Sequence, residues 1–487
     1  MSWRTGSAMV TVVAAGGCIL AHLATPAGAT ISSLRSSSAP GLSLLHKAAD
    51  SGIDIVRMPP RPPSPPSPAG PSVSPQPPVA PPPSYPPAAP PAQAQGRLVK
   101  ATVRVGSQPR TPQRGWLGVQ MDGLEPSLMK ALAVPAADGV LILEASANGP
   151  ASQAGLRLGD VIISLDRRPV QFNDLRQRVA AFAPGTEAEF EVWRVAADGD
   201  DFLQTLRRFA DEGNADAMFR LGRTYAAGLG VARNDTEAVA WYRKASAAGN
   251  ASASTALAVA LIDGRGAGKD PQEGVRLLRA AADKGNTDAM YRLGIVLSEG
   301  KVTAKDTAEA LRLFTRGAEA GHVPSMLDLA LMYNNGEGAT ADPAKAAQWY
   351  KRAADLGSTP GMVNLGFMHQ QGKGVERNDI TAVALYRRAA AEGNPSGIHN
   401  LAAMLDSGRG VARKDPEQAA QLIMQALDLR NEFTFRQMSQ NSRAWSPEFR
   451  RALQKRLRDA GFYSGKIDGE LRDTTVTAIS AYMNRAR

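Results

Sequence analysis

From residue 200 onward the apolar positions of the chain fall into a frame of 36 residues. Leucine recurs at Leu221, Leu257, Leu293, Leu329, Leu365 and Leu401. Glycine keeps the same step at Gly213, Gly249, Gly285, Gly321, Gly357 and Gly393, and again at Gly228, Gly264, Gly300, Gly336, Gly372 and Gly408. Inside the first unit, Met218, Leu221 and Tyr225 follow the i, i+3, i+7 spacing of one apolar helical face. The small residue after each leucine (Gly222, Ala258, Gly294, Ala330, Gly366 or Ala402) lets a second helix, such as DTEAVAWYRKASAA, approach closely. Such a frame predicts six helix–turn–helix units stacked into an all-α solenoid over residues 213–429, with a capping helix at 201–212.

Between residues 115 and 200 the period changes. GVLILEA (139–145) and DVIISL (160–165) are short apolar runs, and EAEFEVWR (187–194) alternates with Ala188, Phe190 and Val192 on one face. A helix fits at FNDLRQRVAAFA, with Asn173 or Asp174 as its cap and Gly185 as its stop. The fold class expected for the whole chain is therefore multi-domain: a compact α/β domain, the helical solenoid, and a smaller helical segment at 430–487.

One stretch of the solenoid tempts a different reading. DGRGAGKD (263–270) is glycine-rich and carries Gly-Lys, as phosphate-binding loops do. Such a loop needs a preceding strand, a glycine where Asp263 stands, and Ser or Thr where Asp270 stands. The frame supplies a better account. Its first glycine caps a helix end in the left-handed conformation, and the aspartate near the close of each turn (Asp235, Asp270, Asp306, Asp342, Asp379, Asp415) caps the next helix.

The remaining segments bound the function. Of the 33 residues from Pro59 to Pro91, 18 are proline, which predicts an extended spacer within a disordered linker at 30–114. Ahead of it, Arg4, an apolar stretch from Ala8 to Ala21 and the small residues Ala27-Gly28-Ala29 have the layout of a secretory signal over 1–29. Cys18 is the sole cysteine and lies in that segment; Ala15 stands where a lipoprotein signal has leucine. A mature chain without cysteine has no disulfide, thiolate metal site or thiol nucleophile. The five histidines form no paired base, and no HExxH, GxSxG or paired-carboxylate constellation occurs, so no enzyme activity, catalytic residue, metal or cofactor is expected. Residues 430–487 hold 12 basic and 6 acidic residues, a net +6 that suits an anionic partner or simply a solvated surface. Base-stacking aromatics are missing there, and no nucleic acid is expected as a partner.

Three resemblances sharpen this picture. The six units, with Leu-Gly, Gly-x-Gly and AxxWYRKAA, resemble the Sel-like repeat (SLR), a relative of the tetratricopeptide repeat whose solenoids act as protein-interaction scaffolds. Arg220, Arg292, Asn364 and Asn400, at one frame position of the first helix, are the expected groove residues. Met332, Met368 and Met404, four residues on, are read as core. The segment GWLGVQ with GPASQAGLRLGDVIISLDRRPV resembles the PDZ domain of HtrA-family proteases. That resemblance implies that Trp116, Leu117, Gly118 and Val119 present backbone N–H groups to the carboxylate of a peptide C-terminus. Arg114 could add charge. The C-terminal LQKRLRDAGFYSG, KIDG and TTVTAISAYMN resemble a peptidoglycan-binding-domain-like three-helix module, with Leu471-Arg472 in place of the usual Phe-Gly. Wall glycan binding and a purely structural or protein-binding cap both stay open for it; its glycan-contacting residues are unknown. The function these features imply is an exported, non-enzymatic scaffold of the bacterial periplasm. It would bind protein C-termini through the PDZ-like domain, other envelope proteins through the repeats, and peptidoglycan as a further ligand. The alternatives are a regulatory subunit of an envelope protease or cell-wall hydrolase, and a cytoplasmic scaffold.

Overall fold

The computed structural model describes residues 10–14, 17–21, 96–107, 115–195 and 202–485. The proline-rich segment, Arg114 and most of residues 1–29 lie outside them. Val10–Ala14 and Gly17–Ala21 pair antiparallel.

Five strands build the sheet of the α/β domain: β1 (Arg97–Arg104), β2 (Val119–Gly123), β3 (Val140–Ala145), β4 (Asp160–Leu165) and β5 (Glu187–Arg194). All pair antiparallel in the spatial order β1-β5-β4-β3-β2, with Arg168–Pro169 as a short extra strand on β4. Helix α1 (Pro126–Ala131) follows β2, and helix α2 (Phe172–Ala181) precedes β5. Two expectations need correction. The N-cap of α2 is Gln171, not Asn173 or Asp174; Asp174 instead closes a capping box by accepting the Gln171 N–H at 2.9 Å. Residues 97–104, assigned above to the linker, belong to the sheet, and Gly106–Ser107 pairs with Gly115–Trp116 as a separate short ribbon. Ala101, Val103 and Val105 are buried and alternate with exposed Thr102 and Arg104, and the strand runs the full length of β5.

Strand β3 is buried on both faces. Val140 and Ile142 enter the core of the α/β domain with Leu117, Leu175, Phe190 and Val192. Leu141 and Leu143 point the other way, into a second cluster formed with Leu128 and Leu132, with Phe202, Leu206 and Phe209 of the helix Phe202–Asp211, and with Leu221, Leu229 and Trp241 of the first repeat. The outer face of the sheet is thereby packed onto the solenoid.

Twelve helices of 13 residues, from Ala215–Ala227 to Pro416–Asp428, form the six repeats. The run 263–270 is one of their turns. Gly264 ends a helix at φ +74, a region that a side chain enters only with strain, and Asp270 caps the next helix by accepting the Glu273 N–H at 3.0 Å. Lys269 is exposed. In repeats one and five the cap falls one residue earlier than expected, on Asn234 and Asn378, so Asp235 and Asp379 are the first helical residues. An asparagine carbonyl accepts the same N–H bonds, so the turn tolerates the shift. Met332, Met368 and Met404 are buried in the common core.

Three further helices, Glu432–Gln440, Pro447–Asp459 and Asp473–Asn484, continue that core without a break, burying Met438, Phe449, Leu453 and Ile479 in the cluster that begins in repeat two. Repeat six grips them through Asp406, which accepts the backbone N–H of Ser446 at 2.8 Å. His399, also in repeat six, lies edge-on to Phe433 and Trp445, with ring centroids at 4.8 Å and 5.5 Å. The Thr434 hydroxyl donates to Asn431, so its oxygen accepts from the His399 Nδ1–H at 3.2 Å. Full burial pushes the imidazole down to about 4, from an ordinary 6.5. Because the folded value is depressed, the stabilisation from keeping this ring neutral is complete above about pH 6.5. It is lost as pH falls toward 4, where the unfolded chain takes up a proton the folded one refuses. Urea midpoints measured across that window should show on the order of 2–3 kcal/mol of pH-dependent stability in the native chain that is missing in His399→Leu.

Candidate peptide-binding groove and its junction with the solenoid

Among the described residues strand β2 is an edge strand, paired only with β3 in its sheet. Just ahead of it the backbone turns at Gly118, φ +71, where a Cβ would come within 3.1 Å of the Trp116 ring. The carbonyls of this turn face inward and are used. Leu117 O accepts the Ala151 N–H at 3.0 Å, and Gly118 O accepts the Ser146 N–H at 2.7 Å. The N–H groups of Leu117 and Gly118 donate to no backbone group among the described residues. Two adjacent N–H groups without a backbone acceptor at the head of an open strand edge suit an anionic oxygen pair.

Helix α2 runs beside β2 in the opposite sense. Phe172 at its start packs against Gly123, while its end lies against Gly115 through the carbonyls of Val179 and Phe182. Leu175 and Val179 are buried with Leu117, Val119 and Met121 are half-buried, and Phe172 stays 36% exposed. The result is an apolar-floored slot, with this N–H cradle at one end and Gly123 at the other. All four predicted loop residues come together there: Leu117 and Gly118 buried, Trp116 and Val119 half-buried.

The four expected solenoid-groove residues fare differently. Arg220 is 3% exposed and engaged by the α/β domain. Its guanidinium donates to Asp122 at 2.8 Å, to Glu125 at 3.0 Å, and to the carbonyl of Gly123. Arg223 shares Asp122, and Ser127 donates to Asp216. Asn364 is buried beside Tyr350, whose hydroxyl is pushed well above its usual range by burial and by Asp328. Arg292 pairs with Asp288 at 3.0 Å one turn back and is half-exposed, as is Asn400. The frame position is thus shared in sequence but not in exposure, because the α/β domain covers Arg220 in repeat one while Asn364 in repeat five is enclosed beside Tyr350. Arg220 as a domain lock was missed, since nothing local in the sequence marks its partners about a hundred residues upstream.

Among the described residues no helix is long and apolar enough to cross a membrane, and no cluster of three metal-ligating side chains occurs.

Residues 115–206 match the family model described as the PDZ domain, and six consecutive segments, 215–250, 251–286, 287–322, 323–358, 359–394 and 395–430, match the Sel1 repeat. The chain carries a PDZ domain followed by a solenoid of six Sel1 repeats, both interaction modules rather than catalytic ones. Among curated proteins it is 41% identical over 85 residues to "Probable periplasmic serine endoprotease DegP-like" of Rhizobium meliloti, and 39% identical over 82 residues to the protein of that name in Pseudomonas fulva. Each match covers 17% of this chain and 17% of the relative, so the chain spans about a sixth of the length of these relatives, in the PDZ part. Of solved structures, a protective antigen of uropathogenic Escherichia coli displaying an SLR fold is similar at 27% identity and TM-score 0.47, over 58% of this chain and 64% of the other. A Sel1 repeat protein from Oxalobacter formigenes is similar at 29% identity and TM-score 0.42, over 46% of this chain and 90% of the other.

Proposed function

We propose that this protein is a non-enzymatic scaffold exported to the bacterial periplasm, which captures free protein C-termini in the slot between β2 and α2. The observation that carries this reading is the pair of N–H groups at Leu117 and Gly118 that donate to no backbone group among the described residues, at the head of a strand edge left open by those residues. A C-terminal carboxylate accepts from those N–H groups, while the residues before it add to β2 as a further strand with side chains on the slot's apolar floor. The solenoid holds a second envelope protein. Export rests on the layout of the N-terminal segment and on the periplasmic naming of the relatives that share the PDZ part.

The C-terminal helices serve in this reading as the end cap of the solenoid, since their core is continuous with the repeats. Exposed Lys455, Arg458 and Lys466 leave them a basic outer surface that suits an anionic wall polymer such as peptidoglycan. A second reading, regulation of an envelope protease or cell-wall hydrolase made elsewhere, is favoured by the likeness of this PDZ part to that of an endoprotease.

Gly118→Trp tests the capture step. The left-handed backbone at Gly118 strains any side chain, and an indole there fills the cradle. Binding of apolar C-terminal peptides to the variant should fall by about tenfold or more, with the helical circular dichroism of the solenoid unchanged. Unaltered affinity in a folded variant would count against the cradle.

A further inference from the structure

The two walls of the slot touch the solenoid at widely separated points. At its Gly123 end β2 is held by Arg220, in the first helix of repeat one. Across the slot, α2 brings the amide nitrogen of Gln177 to 3.4 Å from where a Cβ on Gly357 would sit, at the turn between repeats four and five. The PDZ domain therefore bridges from repeat one to the junction of repeats four and five.

The first helices of repeats two and three carry a stripe of exposed and half-buried residues at i, i+4, i+7 and i+11: Ser252, Ala256, Val259 and Asp263 in repeat two, Asp288, Arg292, Ile295 and Glu299 in repeat three; in repeats four and five its i+4 member, Asp328 or Asn364, is buried. One member of the stripe is apolar and half-buried in each of four successive repeats: Val259, Ile295, Leu331 and Phe367. In repeat one the same position is Arg223, bound to Asp122 at the end of β2. The stripe thus starts where the strand edge ends.

A peptide with its carboxylate at Leu117 and Gly118 runs antiparallel to β2 and leaves the edge at Gly123. The five residues of β2 account for about 17 Å of such a peptide. Residues further from the ligand's end meet the first repeat. Resting on the capture reading above, we propose that the ligand is an unfolded C-terminal tail of about ten residues or more. Its last residues pair with β2, and its preceding apolar residues lie along the Val259–Ile295–Leu331–Phe367 stripe. The PDZ domain and the solenoid then form one reading site for one tail.

The test uses the full chain and two dye-labelled probes that share the C-terminal sequence Leu-Val-Leu-Val: the tetrapeptide itself, and a dodecapeptide with alternating leucine and serine ahead of it. By fluorescence anisotropy the dodecapeptide should bind about tenfold more tightly. In Ile295→Ser/Leu331→Ser it should fall to the affinity of the tetrapeptide, whose own binding stays unchanged. Equal affinities for the two lengths in the native chain, or loss of both in the double variant, would overturn the shared site. The length comparison on the native chain stands whether or not the double variant folds. Absence of binding by either probe would instead remove the capture reading on which the proposal rests.

Discussion

Arg220→Ala should lower the unfolding free energy of the chain by roughly 2–4 kcal/mol and split its unfolding into two transitions, with the PDZ domain melting first. The native guanidinium is almost fully buried and answers Asp122, Glu125 and the Gly123 carbonyl at once. Truncation takes from Glu125 the guanidinium it pairs with and leaves Asp122 with Arg223. Their residual access to water, 19% for Asp122 and 31% for Glu125, keeps the cost below that of a fully enclosed charge. Arg220→Lys should recover part of the loss, because an ammonium offers a point charge without the fork that reaches both carboxylates. Differential scanning calorimetry reads both the loss and the separation. A single unshifted transition would mean that the apolar cluster of Leu141, Leu143, Phe202 and Trp241 holds the junction unaided.

The junction also marks where sequence reading succeeds and where it stops. The run GVLILEA announces a strand without polar alternation, and the structure explains why: Val140 and Ile142 face the PDZ core while Leu141 and Leu143 face the solenoid. The turn chemistry of the repeats was legible in the same way, because a left-handed glycine and an acidic or amide cap are local requirements. Strand β1 was hidden for the opposite reason. Its alternation is present in the residues from Val99 to Val105, but it follows a long proline-rich stretch that reads as linker. Of the candidate residues, the loop from Trp116 to Val119 was found because a backbone cradle is written in consecutive residues. Arg220 and Asn364 were not separable from Arg292 and Asn400 in the frame, since what divides them is which neighbour covers the helix. Tertiary coverage has no period in the chain.

The same limit applies to the C-terminal helices. Their sequence suggests an independent module, yet Trp445 stacks on Phe449 at 4.2 Å and lies edge-on to His399 of repeat six. Gln454, fully buried, fixes the KIDG turn from within by accepting the Gly469 N–H at 2.8 Å and donating to the Glu470 carbonyl at 3.0 Å. The C-terminal helices thus share the apolar core of the repeats.

At the centre of this account is the claim that the chain recognises the free carboxylate of a protein tail. Calorimetric titration of the full chain with one apolar dodecapeptide, as the acid and as the C-terminal amide, measures that recognition alone, because the two ligands differ in one group. Charge-assisted bonds from the Leu117 and Gly118 N–H groups contribute about 1.5–3 kcal/mol, so the amide should bind roughly tenfold to a hundredfold more weakly than the acid. Equal affinity for acid and amide would contradict it.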